Sequence, residues 1–289
     1  MYPRLNNLAS ALLNVSCSHR SARRRPPGGM SRSGLTLVEL LISLSIMSLI
    51  AGAVGMLARA VQMSTDYTEQ HGDATQQARV ALERIGRAVD QATANENYPG
   101  AVVFEESVGS WRYPDTLVVW RPATAAANSA GLPLFRELVV FCPNPLVPNE
   151  LLEITVPNDA RQVPPLSSAN TWQIEIAALK SASGARRVVL SNKIRVAGAG
   201  GSSSDRRGAV RFEAERRPSA TQWNAYRAGT VAWENVNWVQ GIYGSQTGLA
   251  QTWVRAELQL LPVRSGATAS VEQVLPMPGS AAVYFQLSR

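Results

Sequence analysis

Very little of the usual equipment for chemistry is present in these 289 residues. There are two cysteines, Cys17 and Cys142, and two histidines. Cys17 lies in a basic N-terminal stretch. If that stretch is removed, Cys142 has no partner, so a disulfide framework is excluded. Beyond the first 34 residues the only histidine is His71. HExxH, CxxC, GxSxG and the dinucleotide glycine fingerprint are all missing, and so is a GxxxxGK[ST] phosphate loop. Glu105/Glu106 and Glu213/Glu215 are the nearest thing to paired carboxylates, and alternating charges on a solvent-facing strand explain them better. No cofactor or metal is expected, and no enzymatic activity.

Acidic residues are also missing from the start of the chain. Residues 1–34 hold Arg4, Arg20, Arg23, Arg24, Arg25 and Arg32 and no Asp or Glu. These six account for all but one of the net charge of +7. The remainder is close to neutral, which weakens a nucleic-acid reading based on net charge. With 45% hydrophobic and 17% charged residues, the chain can bury a core.

What is present is one long apolar run, Leu35–Ala58, with a single charge at Glu39. As a helix it spans about 36 Å, enough for the roughly 30 Å hydrocarbon core of a bilayer. It is longer than the h-region of an ordinary signal peptide. The preceding arginines keep the N-terminus cytoplasmic by the positive-inside rule and place the rest of the chain outside. A carboxylate inside such a helix costs about 2.5–3.5 kcal/mol near the bilayer centre and less at the interface, so it normally has a partner. An interfacial carboxylate reaching for water is the plain alternative.

The register decides what kind of segment this is. Ser33-Gly34-Leu35-Thr36-Leu37-Val38-Glu39-Leu40-Leu41 resembles the N-terminal signal of type IV prepilins: a basic leader ending in Gly, an apolar residue, and Glu at the fifth mature position. The resemblance is tight over residues 30–58. It implies cleavage after Gly34 by a prepilin peptidase and N-methylation of Leu35, where the family usually has Phe. It also implies pairing of Glu39 with the new amino terminus of a neighbouring subunit. Translation from Met30 would give a short leader of ordinary form, so residues 1–29 are either a mis-called start or a long leader. A lipoprotein attached at Cys17 does not fit, because Asn14 stands where a lipobox needs an aliphatic residue.

No proline interrupts residues 35–94, so the apolar segment (35–58) is expected to continue as an amphipathic helix (59–94). Ala74, Ala78, Ala81, Leu82, Ile85 and Val89 form its apolar stripe. Ser48/Gly52 and Ala51/Gly55 are small-xxx-small pairs that permit close helix packing, although membrane helices tolerate small residues generally. Residues 95–289 read as a globular β-rich domain. Candidate strands include Val102–Glu106, Asp115–Arg121, Phe135–Cys142, Leu151–Val156, Trp172–Ala178, Arg186–Val196, Ala209–Glu215, Val231–Val239, Trp253–Leu261 and Ala281–Leu287. Ala197–Asp205 reads as a Gly/Ser loop.

The expected class is therefore α+β and pilin-like: a long N-terminal helix, its first half in the membrane, packed on an antiparallel sheet domain. The layout resembles PilW-type minor pilins of type IV pili and J-type pseudopilins of type II secretion. Implied partners are other pilin or pseudopilin subunits, the prepilin peptidase, the inner-membrane assembly platform and lipid. Two alternatives stay open. One is a nucleic-acid-binding subunit of a DNA-uptake pilus, using Arg186/Arg187, Arg206/Arg207 and Arg216/Arg217 among Trp223, Tyr226, Trp233 and Trp238. The other is a plain signal-anchored extracytoplasmic domain.

Overall fold

The computed structural model describes residues 36–108, 111–198, 206–236, 247–262 and 274–289. The leader, the Gly34–Leu35 bond, Met30, Cys17, Trp238 and most of the Gly/Ser loop lie outside them. Two compact units divide the chain at Ala58/Arg59. The first described element, α1 (Leu37–Asp90), contributes to both.

In the first unit α1 is apolar on all sides. Its best 18-residue window has a mean hydropathy of 2.3 and none of it is buried. The hydroxyls along it are satisfied internally. Ser43 donates to the Glu39 carbonyl, Ser45 to that of Leu41, and Ser48 to that of Ser45, each at 2.8 Å. No hydroxyl there needs water, which suits a helix surrounded by hydrocarbon.

In the second unit the remainder of α1 buries Ala74, Ala78, Ala81, Ile85, Ala88 and Val89, a stripe at helical spacing. The helix ends at Asp90, four residues before the expected limit of 94. Beyond it the backbone bonds elsewhere: the Thr93 N–H donates to the Trp120 carbonyl at 2.9 Å. Asn95 Oδ1 then accepts from Asn97 N and Tyr98 N, both at 2.8 Å. Gly100 (φ +82°) turns the chain into the first strand, where a Cβ would lie 2.9 Å from Val283 Cγ1. Both the positive φ and the space demand glycine.

Five antiparallel strands follow in spatial order: β1 (Ala101–Val108), β2 (Trp111–Trp120), β3 (Leu138–Pro143), β4 (Leu151–Thr155) and β5 (Arg186–Ser191). The central strands are buried on both faces, which is why residues 138–142 read as an unbroken apolar run. Leu117, Val119, Val139 and Phe141 share a core with the α1 stripe and with a three-stranded sheet. Val118, Trp120, Leu138, Val140 and Cys142 face the other way, against α2 (Ala169–Ser181). The three-stranded sheet runs β10–β9–β8, from β8 (Val210–Arg217), β9 (Thr247–Leu260) and β10 (Leu275–Ser288). A short hairpin, β6 (Val196–Gly198) with β7 (Arg206–Gly208), completes the sheets.

The antiparallel α+β expectation holds, with three sheets rather than one among the described residues. Two expected strands are something else. Trp172–Ala178 alternates apolar and polar residues, yet it lies inside α2. There Trp172, Ile176 and Leu179 are buried at helical spacing, whereas Ile174 is 70% exposed. The alternation was genuine and the buried set was not the alternating one. Val231–Val239 begins in a turn and a 3-10 segment, Trp233–Asn235, and from 237 to 239 it lies outside the described residues. Just before it, α3 (Ala220–Arg227) is closed at its N-terminus by a capping box. Ser219 Oγ accepts from Gln222 N at 3.2 Å, and Gln222 Oε1 accepts from Ser219 N at 3.0 Å.

Buried charges tie the layers of this unit together. Glu153 of β4 accepts a hydrogen bond from Arg84 Nε of α1 and lies 3.7 Å from Arg121. Glu137 accepts from Trp120 Nε1 (3.1 Å), Ala127 N (2.7 Å) and Leu134 N (3.0 Å). Lys180 bonds Glu106 and Thr116 Oγ1, the latter at 2.8 Å. Glu106 is therefore held in a half-buried pair and is not simply on a solvent face, as expected from sequence. Asp115, beside this group, is pushed up from 3.8 to about 6, chiefly by burial, against the pull of Lys180.

A raised carboxyl pKa means the native domain holds this proton more tightly than the unfolded chain. The associated stability is fully present below pH 3.8 and is lost as pH rises through about 6. Asp115→Asn should therefore stabilise the domain at pH 8 by up to about 3 kcal/mol. The gain should vanish at pH 4. Denaturant melts of both proteins at the two pH values check this, and a variant less stable than wild type at pH 8 contradicts it.

Candidate functional site

The sequence concentrates its function at the start of α1, and Glu39 stands in the first turn there. The described structure adds a partner that the sequence reading passed over. Thr36 caps the helix: Thr36 Oγ1 accepts from Glu39 N at 3.3 Å. In return, Glu39 Oε2 accepts from Thr36 N and Thr36 Oγ1, both at 3.3 Å. Thr-x-x-Glu before an apolar run is the sequence pattern of a capping box, so the signal was legible. It matters because the first N–H groups of a helix have no intrahelical acceptor, and a carboxylate there also meets the positive end of the helix dipole. The isolated subunit therefore gives Glu39 a local use for its charge.

Beyond Glu39, through the rest of the first unit, the helix is bare. Ser48, Ala51, Gly52 and Gly55 are exposed, and a Cβ built on Gly52 or Gly55 meets nothing within 4 Å. Leu40, Leu41, Leu44, Ile46, Met47, Leu49 and Ile50 are all more than half exposed. An apolar helix with this much uncovered surface fits lipid and the helices of neighbouring subunits.

Residues 29–55 match the family model of the prokaryotic N-terminal methylation motif. The chain is a type IV prepilin-like protein. In this prepilin-like protein the matched stretch takes in Gly34 and Leu35, outside the described residues, and continues through the Glu39 turn to Gly55. No curated protein and no solved structure matches the chain.

The rest of the prepilin-like chain offers no comparable constellation among the described residues. Among the described residues, no group of three or more His, Cys, Asp and Glu is placed to hold a metal ion. His71 packs against Tyr67, the rings tilted by 47° with centroids 4.4 Å apart. The Cys142 thiol is fully buried and pushed up to about 12, first by that burial, so it is held as an unreactive thiol. The arginine–aromatic set comes together only in part: Trp223, Tyr226 and Trp233 contact one another, with ring centroids 5.1–6.5 Å apart. Trp223 and Trp233 are buried in a cluster with Phe285 and Leu287, so neither offers a face to a base. Arg187 donates to the Lys180 and Ala182 carbonyls, Arg207 faces Glu106 and Arg217 pairs with Glu215. Burial lowers the Arg216 pKa, and its guanidinium lies over the Phe285 ring. Glu213 and Glu215, the other carboxylate pair, are occupied by Arg211, Arg255 and Arg217.

Proposed function

We propose that this membrane-anchored pilin-like chain is a structural subunit, a minor pilin or pseudopilin, that initiates, primes or caps a type IV pilus or a type II secretion pseudopilus. In this reading a prepilin peptidase cuts after Gly34 on the cytoplasmic face and Leu35 is N-methylated. The subunit waits in the inner membrane, N-terminus inside and globular domain outside, until the assembly platform adds it to other subunits. It catalyses nothing. The observation that carries the reading is the methylation-motif match running without a break into a bare apolar helix whose first turn holds a carboxylate. A sheet domain well over a hundred residues long beyond α1 favours a PilW-like or J-type layout over a major pilin.

The test is the mature terminus. The polypeptide recovered from cell membranes should begin at Leu35 with one added methyl group, and deleting the peptidase should leave the leader attached. A mature chain beginning anywhere else removes the reading.

A further inference from the structure

Sheet edges show which strands avoid pairing and which do not. A strand that must stay single usually carries charge or proline. In the five-stranded sheet, edge strand β1 has Glu105 and Glu106, and edge strand β5 has Arg186 and Arg187. In the three-stranded sheet, β8 carries Arg211, Glu213, Glu215, Arg216 and Arg217. The opposite edge, β10, runs 14 residues, LPMPGSAAVYFQLS, without a single charge.

The register shows which of its backbone groups are open. In an antiparallel pair, residues facing each other either exchange both hydrogen bonds or exchange neither. Gln259 of β9 faces Pro276. Both backbone groups of Gln259 are engaged on the far side from β10: its N–H donates to Ala209 O at 3.0 Å, and its carbonyl accepts from Arg195 N at 2.7 Å. Pro276 therefore turns its backbone outward. The β9–β10 register has no break, so Pro278, Ser280, Ala282, Tyr284 and Gln286 do the same. The two prolines have no N–H to offer, which closes the first part of the edge. From Ser280 to Gln286 the outward donors and acceptors have no backbone partner among the described residues. The side chains on this register are small or uncharged, and Tyr284 is 55% exposed.

We propose that Ser280–Gln286 is a strand-addition edge, and that its occupant is an extended, uncharged segment of a different pilin-like subunit. The proposal rests on the functional reading above. The occupant follows from the chain's motif and from the edge's lack of charge. A pilin motif implies assembly with other pilin subunits. At its start Gly279 lies close against Leu82 of α1, where a Cβ would come within 3.0 Å of Leu82 Cδ2. Backbone pairing supplies the attraction. Tyr284 supplies selectivity by favouring an aromatic or β-branched residue opposite it.

The experiment uses the full chain in cells that possess its assembly machinery. Ala282→Pro removes one outward donor and leaves the ladder to β9 intact, as Pro276 and Pro278 already do. The expected result is an unchanged Leu35 terminus, unchanged protease resistance and about a tenfold lower recovery with the other pilin-like subunits. In a second arm, Tyr284→p-benzoylphenylalanine is irradiated in cells. It should crosslink to an uncharged segment of another protein carrying the same N-terminal motif. Wild-type recovery by Ala282→Pro overturns the edge proposal alone. So does a crosslink only to lipid, to a second copy of this chain or to nothing, and this arm decides if the proline variant is protease-sensitive. A wild-type chain never found with other pilin-like subunits overturns the functional reading, and this proposal with it.

Discussion

Glu39→Ala should be cleaved and methylated normally and still fail to enter the filament, with incorporation reduced roughly 10- to 150-fold. The magnitude is that of one charge-assisted hydrogen bond, about 1.5–3 kcal/mol, converted to a ratio. The alanine variant alone does not separate two roles, because Glu39 also closes the capping box with Thr36. Glu39→Gln separates them. Glutamine serves at this position of a capping box but carries no charge. If pairing with a neighbour's terminal amine is the function, the glutamine variant is as defective as the alanine one. If only the cap matters, it behaves as wild type. Thr36→Ala is the complementary control, expected to cost the helix about 1 kcal/mol and incorporation little. Immunoblots of sheared filaments beside whole membranes give all three numbers.

Glu153→Ala should destabilise the globular unit markedly. The side chain is 5% exposed and is shared by Arg84 on α1 and Arg121 beside β2. Its removal leaves a cavity and takes the acceptor from Arg84 and Arg121, which at 46% and 29% exposed regain some water, so the cost is about 1–3 kcal/mol. Against a total stability of about 5–15 kcal/mol, that is a large share. Arg84→Ala should cost less, about 1 kcal/mol, because Arg84 is 46% exposed and Arg121 remains opposite the carboxylate. Denaturant midpoints of the full chain in detergent test the contrast. Equal midpoints for wild type and Glu153→Ala would show that the carboxylate bears no structural weight.

The parts legible in the sequence were those with a strong local rule. Leu35–Ala58 has one charge in a long apolar run, and few structures satisfy that composition. The α1 stripe follows helical spacing over several turns. β9 alternates cleanly because one of its faces is packed and the other is half open. The misread parts are those where tertiary packing overrode a short pattern. Trp172–Ala178 alternates well enough for a strand, and only the covering sheet shows that Trp172, Ile176 and Leu179 are the buried set. At the site, Glu39 stood out because a charge in an apolar run is costly. Thr36 did not, because a threonine before a helix draws notice only when the residue three positions on is read with it. Pro276 and Pro278 mark the start of β10 as an edge, but that Ser280–Gln286 is one too depends on which strands find neighbours.

The capping box also bears on what happens when a subunit departs. A carboxylate whose sole partner belongs to another molecule is stranded on separation, and stranding in hydrocarbon is expensive. Glu39 has Thr36 to fall back on, one turn away within its own chain. Withdrawal from neighbours then exchanges one set of donors for another, and the difference between the two states stays small. A small difference of that kind suits a subunit that stands alone in the bilayer before it joins other pilin-like subunits.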